Sequence, residues 1–222
     1  MTTSRTTTLP LFPLSLVLFP GMTLPLHVFE ERYKRMINLC LREARDFGVV
    51  LAGAAAGVPG RCLTYPVGTT AHITGATRFP DGCMNLITTG QRRFRIHALD
   101  WDLEYCVAGV EWIEEVASDD EALRLRAERR WSAFRAQIAG LTNEEFTDGA
   151  IPADPTDASY ALAASLPINI IEKQRLLEAT DTAARLREIT RLIGREHGVL
   201  RYLTSPHIEA TQPPDDSAIH LN

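Results

Sequence analysis

Lysine, paired cysteines and uninterrupted apolar runs are all scarce in this chain of 222 residues, and each shortage removes a class of function. The only lysines are Lys34 and Lys173, both on segments of helical pattern where they read as surface charges. A serine nucleophile activated by a lysine within hydrogen-bond reach is therefore not expected. No glycine is followed by lysine, so the GxxxxGK[ST] loop that cradles nucleotide phosphates is missing. GxSxG and HExxH are missing too. Neither an ATPase nor a peptidase is expected, and no catalytic residue or cofactor is assigned.

Cys40, Cys62, Cys83 and Cys106 are scattered without a CxxC pair or a short Cys/His spacing, which excludes zinc-ribbon and thioredoxin chemistry. They read as buried thiols in a reducing compartment. No stretch of ~20 apolar residues escapes proline or charge, so no membrane span is expected. The N-terminus has no charged start followed by an apolar segment and a small-residue cleavage site, so a secretory signal is not expected and the cytoplasm is. His27, His72, His97, His197, His207 and His220 are dispersed, with no metal spacing among them. His197, beside Glu196, reads as a charge near a helix C-terminus.

A formal net charge of −5 disfavours sequence-independent nucleic-acid binding but permits a local basic patch. Arg92, Arg93 and Arg95 are the best candidates for one; as a bland alternative they form a solvated strand face. The adjacent acids Glu114-Glu115, Asp119-Asp120 and Glu144-Glu145 point apart on any regular element and read as solvated loops or helix starts. Trp101, Trp112 and Trp131 read as core aromatics rather than binding platforms.

What the chain does have is an apolar stretch over residues 9–33 interrupted by Pro10, Pro13, Pro20 and Pro25. Interior prolines cost a helix ~3 kcal/mol each, and central strands exclude them. Short extended pieces over residues 9–11, 16–19 and 23–28 remain, joined by a Pro20-Gly21 turn and expected at sheet edges or barrel rims. A helix over 30–46 follows, with Tyr33, Met36, Ile37, Cys40, Leu41 and Ala44 as its apolar stripe and Gly48 as its stop.

An apolar strand over 48–53 and a loop over 57–60 come next. Strands over 67–79 and 83–89 flank Pro80-Asp81-Gly82, a hairpin turn. Gly90 marks a junction. Residues 92–99 alternate, with Phe94, Ile96 and Ala98 on one face and Arg93, Arg95 and His97 on the other. A strand over 105–116 brings the count to about six or more, which suits a small barrel. Near residue 117 the period changes. Ser118 and Asp119 are candidate caps for a helix reaching Gly140, with Leu123, Ala127, Trp131, Phe134 and Ile138 at helical spacing. A connector over 142–157 precedes helices over 158–166, 169–180 and 181–197, the last turning Leu186, Ile189, Thr190 and Ile193 inward and ending at Gly198. The expected division is a flexible start over 1–8, a barrel over 9–117, a helical bundle over 118–203 and a flexible tail over 204–222.

Several of these motifs, taken in order, resemble a known family. Leu9-Pro10-Leu11-Phe12-Pro13-Leu14, Leu18-Phe19-Pro20-Gly21 and Pro25-Leu26-His27-Val28-Phe29-Glu30 with Tyr33 resemble the start of the N-terminal substrate-binding domain of Lon proteases. Val67-Gly68-Thr69, Asp81-Gly82 and Gly90-Gln91-Arg92-Arg93-Phe94 look like its hairpin signature. Leu166-Pro167, Lys173, Leu176-Leu177-Glu178 and Arg185-Leu186 look like its helical half. The resemblance implies an α+β fold, a PUA-like β pseudo-barrel with one inserted helix followed by a C-terminal helical bundle. It also implies a non-catalytic module that binds unfolded or damaged polypeptide, with a full-length Lon protease as a further partner. Phe12, Phe19, His27, Phe29 and Tyr33 are the candidate substrate-binding residues, each with barrel packing as its rival reading. Alternatives are an ATP-dependent protease component and, through Arg93 and Arg95, a PUA-like RNA-binding module.

Overall fold

A computed structural model describes residues 7–53, 64–100, 103–142 and 150–204. The expected loop over 57–60, Cys62, Trp101, Glu144-Glu145, His207, His220, most of the start over 1–8 and nearly all of the tail lie outside them. The described residues form a mixed α+β fold of six strands and five helices. In chain order these are β1 (Thr7–Leu14), β2 (Thr23–Val28), α1 (Glu31–Glu43), β3 (Phe47–Ala52), β4 (Thr64–Arg78), β5 (Met84–Asp100), β6 (Val107–Trp112), α2 (Glu121–Thr142), α3 (Pro155–Ser165), α4 (Ile170–Glu178) and α5 (Thr182–Thr204).

The strand order is β2-β5-β4-β3-β1-β6, and β6 pairs back onto β5. Strands β1, β3, β4, β5 and β6 therefore close into a ring, while β2 remains as an edge on the first half of β5. The strands are antiparallel except β1 with β3, whose parallel pairing needs a crossover, made through β2 and α1. Strand β1 is not the edge its prolines suggested. It is registered against β6 over residues 7–10 and against β3 over 11–14, so each proline faces one ladder partner at a time and its missing donor has an open side. Residues 16–19 are not a strand; they run as irregular chain into the Pro20-Gly21 turn.

Helix α1 buries Tyr33, Met36, Ile37 and Cys40, the i, i+3, i+4, i+7 stripe of an amphipathic helix. Each such side chain contributes about 1.5–3 kcal/mol by leaving water. Leu41 and Ala44 point outward, contrary to expectation. Ala44 itself ends the helix, in the left-handed region at φ 48°, donating its N–H to Cys40 O. Gly48 is not the stop; it lies in β3, where an added Cβ would stand 2.7 Å from Leu11 Cδ2 and from Phe94 Cζ.

The hairpin forms as its Pro-Asp-Gly turn predicts, with Gly82 at φ 81° and Phe79 N–H bonded to Cys83 O at 2.9 Å. Gly90 does not break β5. It sits where that strand exchanges β2 for β6 as its neighbour, and a Cβ there would come within 2.2 Å of Phe19 O. Only glycine lets the two backbones approach so closely.

Helices α2 to α5 pack on one another around Trp131, Phe134, Leu186, Ile189 and Ile193, and on Val17, Phe19, Leu51 and Val67 from the strand half. Asp120 rather than Asp119 provides the carboxylate at the start of α2, accepting from Leu123 N–H at 3.0 Å. Asp154 caps α3 ahead of Pro155, and Asn169 caps α4. Helices α2 and α5 outrun their expected glycine stops, because a solvent-facing glycine weakens a helix without ending it. His197 thus lies within α5, edge-on to Phe134 at 6.3 Å, and is not a C-terminal charge. Lys173 is not a free surface charge: its Nζ donates to Ala164 O at 2.6 Å, and burial lowers its pKa.

Candidate functional site

The two halves meet at a carboxylate that sequence reasoning placed in solvent. The side chain of Glu115 is 21 % exposed and each of its oxygens has two donors. Arg93 Nη2 and the Tyr160 hydroxyl reach Oε2 at 2.5 Å each, and Arg185 Nη2 and the Thr182 hydroxyl reach Oε1 at 2.5 and 2.7 Å. Arg93 comes from β5, Tyr160 from α3, and Thr182 and Arg185 from α5. Backbone bonds reinforce the junction, from Val116 N–H to Thr180 O at 2.8 Å and from Thr182 N–H to Val116 O at 3.0 Å.

The two guanidiniums also donate to helix-end carbonyls. Arg93 Nη1 reaches Leu177 O and Ala179 O, both at 2.6 Å, and Arg185 Nη2 reaches Ala179 O at 2.9 Å. These carbonyls lie at the C-terminal end of α4, where partial negative charge accumulates. The guanidinium of Arg185 also lies over the Tyr160 ring, 4.1 Å from its centroid. Burial raises the Tyr160 pKa, so its phenol stays protonated and donates to Glu115. Burial also lowers the Arg185 pKa from its usual value.

The Glu115 cluster fixes Tyr160, and Tyr160 lines a cleft of about 720 Å³ between the strand half and the helices. One wall is the Pro20-Gly21 turn, where Met22 N–H bonds Phe19 O at 3.1 Å and Gly21 has φ 76°. Proline followed by glycine at positive φ is the sequence a type II turn requires. Gly21 and Gly90 bond through Gly21 N–H to Gly90 O at 2.9 Å, which anchors the turn to β5. Opposite are Ile151 and Pro152, just before α3, with Trp131 and Tyr160 at the base and Asp157 at the rim. The lining combines apolar and aromatic side chains with the Thr23 and Ser165 hydroxyls and the Asp157 carboxylate, the mix of apolar walls and a few polar groups found in binding clefts. Among the described residues, no group of three or more His, Cys, Asp or Glu side chains could hold a metal ion.

The residues singled out from sequence scatter. Phe12 and Tyr33 are buried and stacked on each other with ring centroids 4.1 Å apart, and Phe19 is fully buried against Tyr160. His27 and Phe29 are exposed at the end of β2, with rings 6.0 Å apart and His27 Nδ1 2.7 Å from Asn85 Oδ1. Arg93, 3 % exposed, is not part of a surface patch. Arg95 stays near the surface, 3.7 Å from Glu111, and Arg92 lies over the Trp112 ring at 4.3 Å. Of the tryptophans, Trp131 is buried and Trp112 half-buried. Glu115 gave no local signal, because its partners lie 22 to 70 positions away. Arg185 gave one: it occupies an inward position beside Leu186 and one turn before Ile189, where a charge needs a buried partner.

A barrel-like sheet bearing one helix packs against the remaining helices with a cleft between them, and comparison with known proteins places this fold. The family model of the ATP-dependent protease La (LON) substrate-binding domain matches residues 8–195, and the chain belongs to that family. It is 31 % identical over 207 residues to Lon protease 1 of Syntrophobacter fumaroxidans, covering 89 % of this chain and 25 % of that protein. To the Lon protease of Escherichia coli K12 it is 28 % identical over 202 residues, covering 87 % and 25 %. The chain thus spans about a quarter of the length of these relatives.

Among solved structures it resembles a Lon N-terminal domain protein from Xanthomonas campestris, with a TM-score of 0.60, 28 % identity, and 83 % of this chain and 98 % of that one covered. The N-terminal domain of a Mycobacterium avium complex Lon protease shares the fold, with a TM-score of 0.62, 19 % identity and coverages of 85 % and 98 %. Among the described residues no helix is long and apolar enough to cross a membrane.

Proposed function

We propose that this chain is a non-catalytic polypeptide-binding module that takes exposed apolar segments of unfolded or damaged proteins in the cytoplasm. It would act as an adaptor in protein quality control, with a full-length Lon protease as its downstream partner. In this reading residues 9–117 form a PUA-like pseudo-barrel and residues 118–203 a helical bundle, and the client lies between them. The observation that carries it is the cleft at the joint, where Met22, Ile151 and Pro152 offer partly exposed apolar surface over Trp131 and Tyr160. Family membership supports the polypeptide as ligand.

The edge of β2 is a second place for an extended chain. Phe29, 62 % exposed, and His27 stand beside it, and Ile87 on the paired strand is exposed as well. A strand added there would meet Pro25, which has no amide to offer, so the edge favours short contacts over a long ladder. The RNA-binding alternative loses its main support with the burial of Arg93.

The test is titration of the purified protein with a fluorescent, reduced and carboxymethylated model protein that cannot refold. Binding is expected to the unfolded form and not to the same protein in its native state, and Met22→Glu with Ile151→Glu is expected to weaken it at least ~10-fold. Absence of binding by the wild type overturns the proposal, and so does degradation of casein by the purified chain with or without ATP. Weakening by Phe29→Asp alone moves the site to the β2 edge.

A further inference from the structure

Most described arginines are held by an acid, a carbonyl, an amide or a ring, and of those with no such partner among the described residues Arg42 and Arg175 stand apart on α1 and α4 while the other four converge. Arg32, Arg35, Arg45, Arg95, Arg124, Arg191 and Arg195 each face a carboxylate. Arg126, Arg129 and Arg130 on α2 and Arg187 on α5 face none among the described residues. These exposed residues border one groove between the two helices.

Arg126, Arg130, Arg187 and Arg191 surround a hollow of about 280 Å³ over Leu123 and Thr190. A second hollow of about 370 Å³ lies beside Gly194 and His197. Arg130 lines both. Its Nη1 lies 2.9 Å from where a Cβ on residue 194 would stand, so Gly194 leaves room for the guanidinium to cross onto α5. Like charges at i, i+4, as in Arg126 with Arg130 and Arg187 with Arg191, oppose helix formation unless something neutralises them. The acids of these helices are already engaged: Glu121 and Glu128 hold Arg124, Glu188 holds Arg191 and Glu196 holds Arg195.

We infer that this groove docks an acidic helical segment of a partner polypeptide. The arginines of each wall repeat at one helical turn, which matches glutamates spaced four apart on a third helix. The floor of Leu123 and Thr190 suits the methylene stems of such side chains. Guanidinium forks pair with carboxylates through two parallel bonds. A long nucleic acid fits less well, because the engaged acids Glu121, Glu128, Glu188 and Glu196 flank the groove and the whole chain carries a formal charge of −5.

This site is separate from the cleft at Trp131 and Tyr160, so either can fail alone. The probe is a labelled alanine-rich peptide of ~16 residues with glutamate at every fourth position, titrated by fluorescence anisotropy into the full chain. Binding is expected to fall as salt rises. Arg130→Gln and Arg187→Gln should each weaken it roughly 2- to 5-fold, and the pair roughly 10-fold. The double charge reversal Arg126→Glu with Arg130→Glu should transfer binding to the matching lysine peptide. No binding by the wild type overturns the inference. So does an unchanged affinity in the glutamine double variant. Displacement of the peptide by tripolyphosphate or a single-stranded oligonucleotide at lower concentration than by unlabelled peptide overturns it as well, since the groove would then be a phosphate site.

Discussion

The Glu115 cluster and the α2–α5 groove both collect arginines, and they treat them in opposite ways. Arg93 and Arg185 are withdrawn from water and share one carboxylate, with helix-end carbonyls taking further donors. Arg126, Arg130 and Arg187 are exposed and meet no acid among the described residues. A buried guanidinium must satisfy its donors inside the protein, because water cannot do it there. Its position is therefore fixed by the rest of the fold, and it in turn fixes Tyr160 and the base of the cleft. An exposed guanidinium is solvated wherever it stands. Convergence of several on one groove is not something folding demands, and the proposed docking of an acidic helix rests on that contrast.

The sharpest way to break that contrast is Glu115→Ala. It leaves two buried guanidiniums and the Tyr160 hydroxyl without their shared acceptor, and loss of one partner from a buried ion pair costs about 3–5 kcal/mol. Urea denaturation should show a midpoint lowered accordingly, and the loosened Tyr160 should weaken binding of unfolded protein in the cleft. A loss of less than ~1 kcal/mol would mean that water replaces the carboxylate and that the cluster is not buried in solution.

The contrast also explains what could be read from the sequence. Periodicity placed α1, the Pro-Asp-Gly hairpin and the inward faces of α2 and α5, because these follow from neighbours a few residues apart. Strand β1 was misread because a proline rule for central strands takes for granted neighbours on both sides of every residue, and β1 has one at a time. Gly90 was read as punctuation, although its role is an approach to Phe19 that no local pattern encodes. Phe12, Phe19 and Tyr33 were picked for being apolar beside prolines, the same property that buries them. Glu115 is acidic and next to Glu114, so locally it looks like surface; only the meeting of β5, α3 and α5 makes it central.

Between the two extremes lies Arg195, which grips Glu172 across α4 and α5 at 2.5 and 2.8 Å while staying partly exposed. The guanidinium holds the Glu172 carboxyl below its usual range. A carboxylate with a depressed folded pKa contributes stability above its unfolded pKa and loses it as pH falls through the folded value. Glu172→Gln should therefore lower stability by about 0.2–1 kcal/mol near neutrality, and the difference from the wild type should shrink in acid. Urea midpoints at neutral and acidic pH measure this. A difference that grew on acidification would show that the pair does not form.

The smallest effect on stability is expected in the groove. Replacing Arg126 and Arg130 by glutamine removes no hydrogen-bond partner given by the described residues and relieves an i, i+4 repulsion. Glutamine has nearly the helix propensity of arginine, so the change in unfolding free energy should stay within ~0.5 kcal/mol and lean toward stabilisation. Thermal unfolding at low salt is the most sensitive measurement, because screening removes the repulsion as ionic strength rises. A clear loss of stability would mean that these arginines hold the fold as Arg93 and Arg185 do, and the groove would no longer differ in kind from the Glu115 cluster. A gain at low salt that disappears at high salt would show that the fold tolerates a cost at this surface, as a docking site for an acidic helix requires.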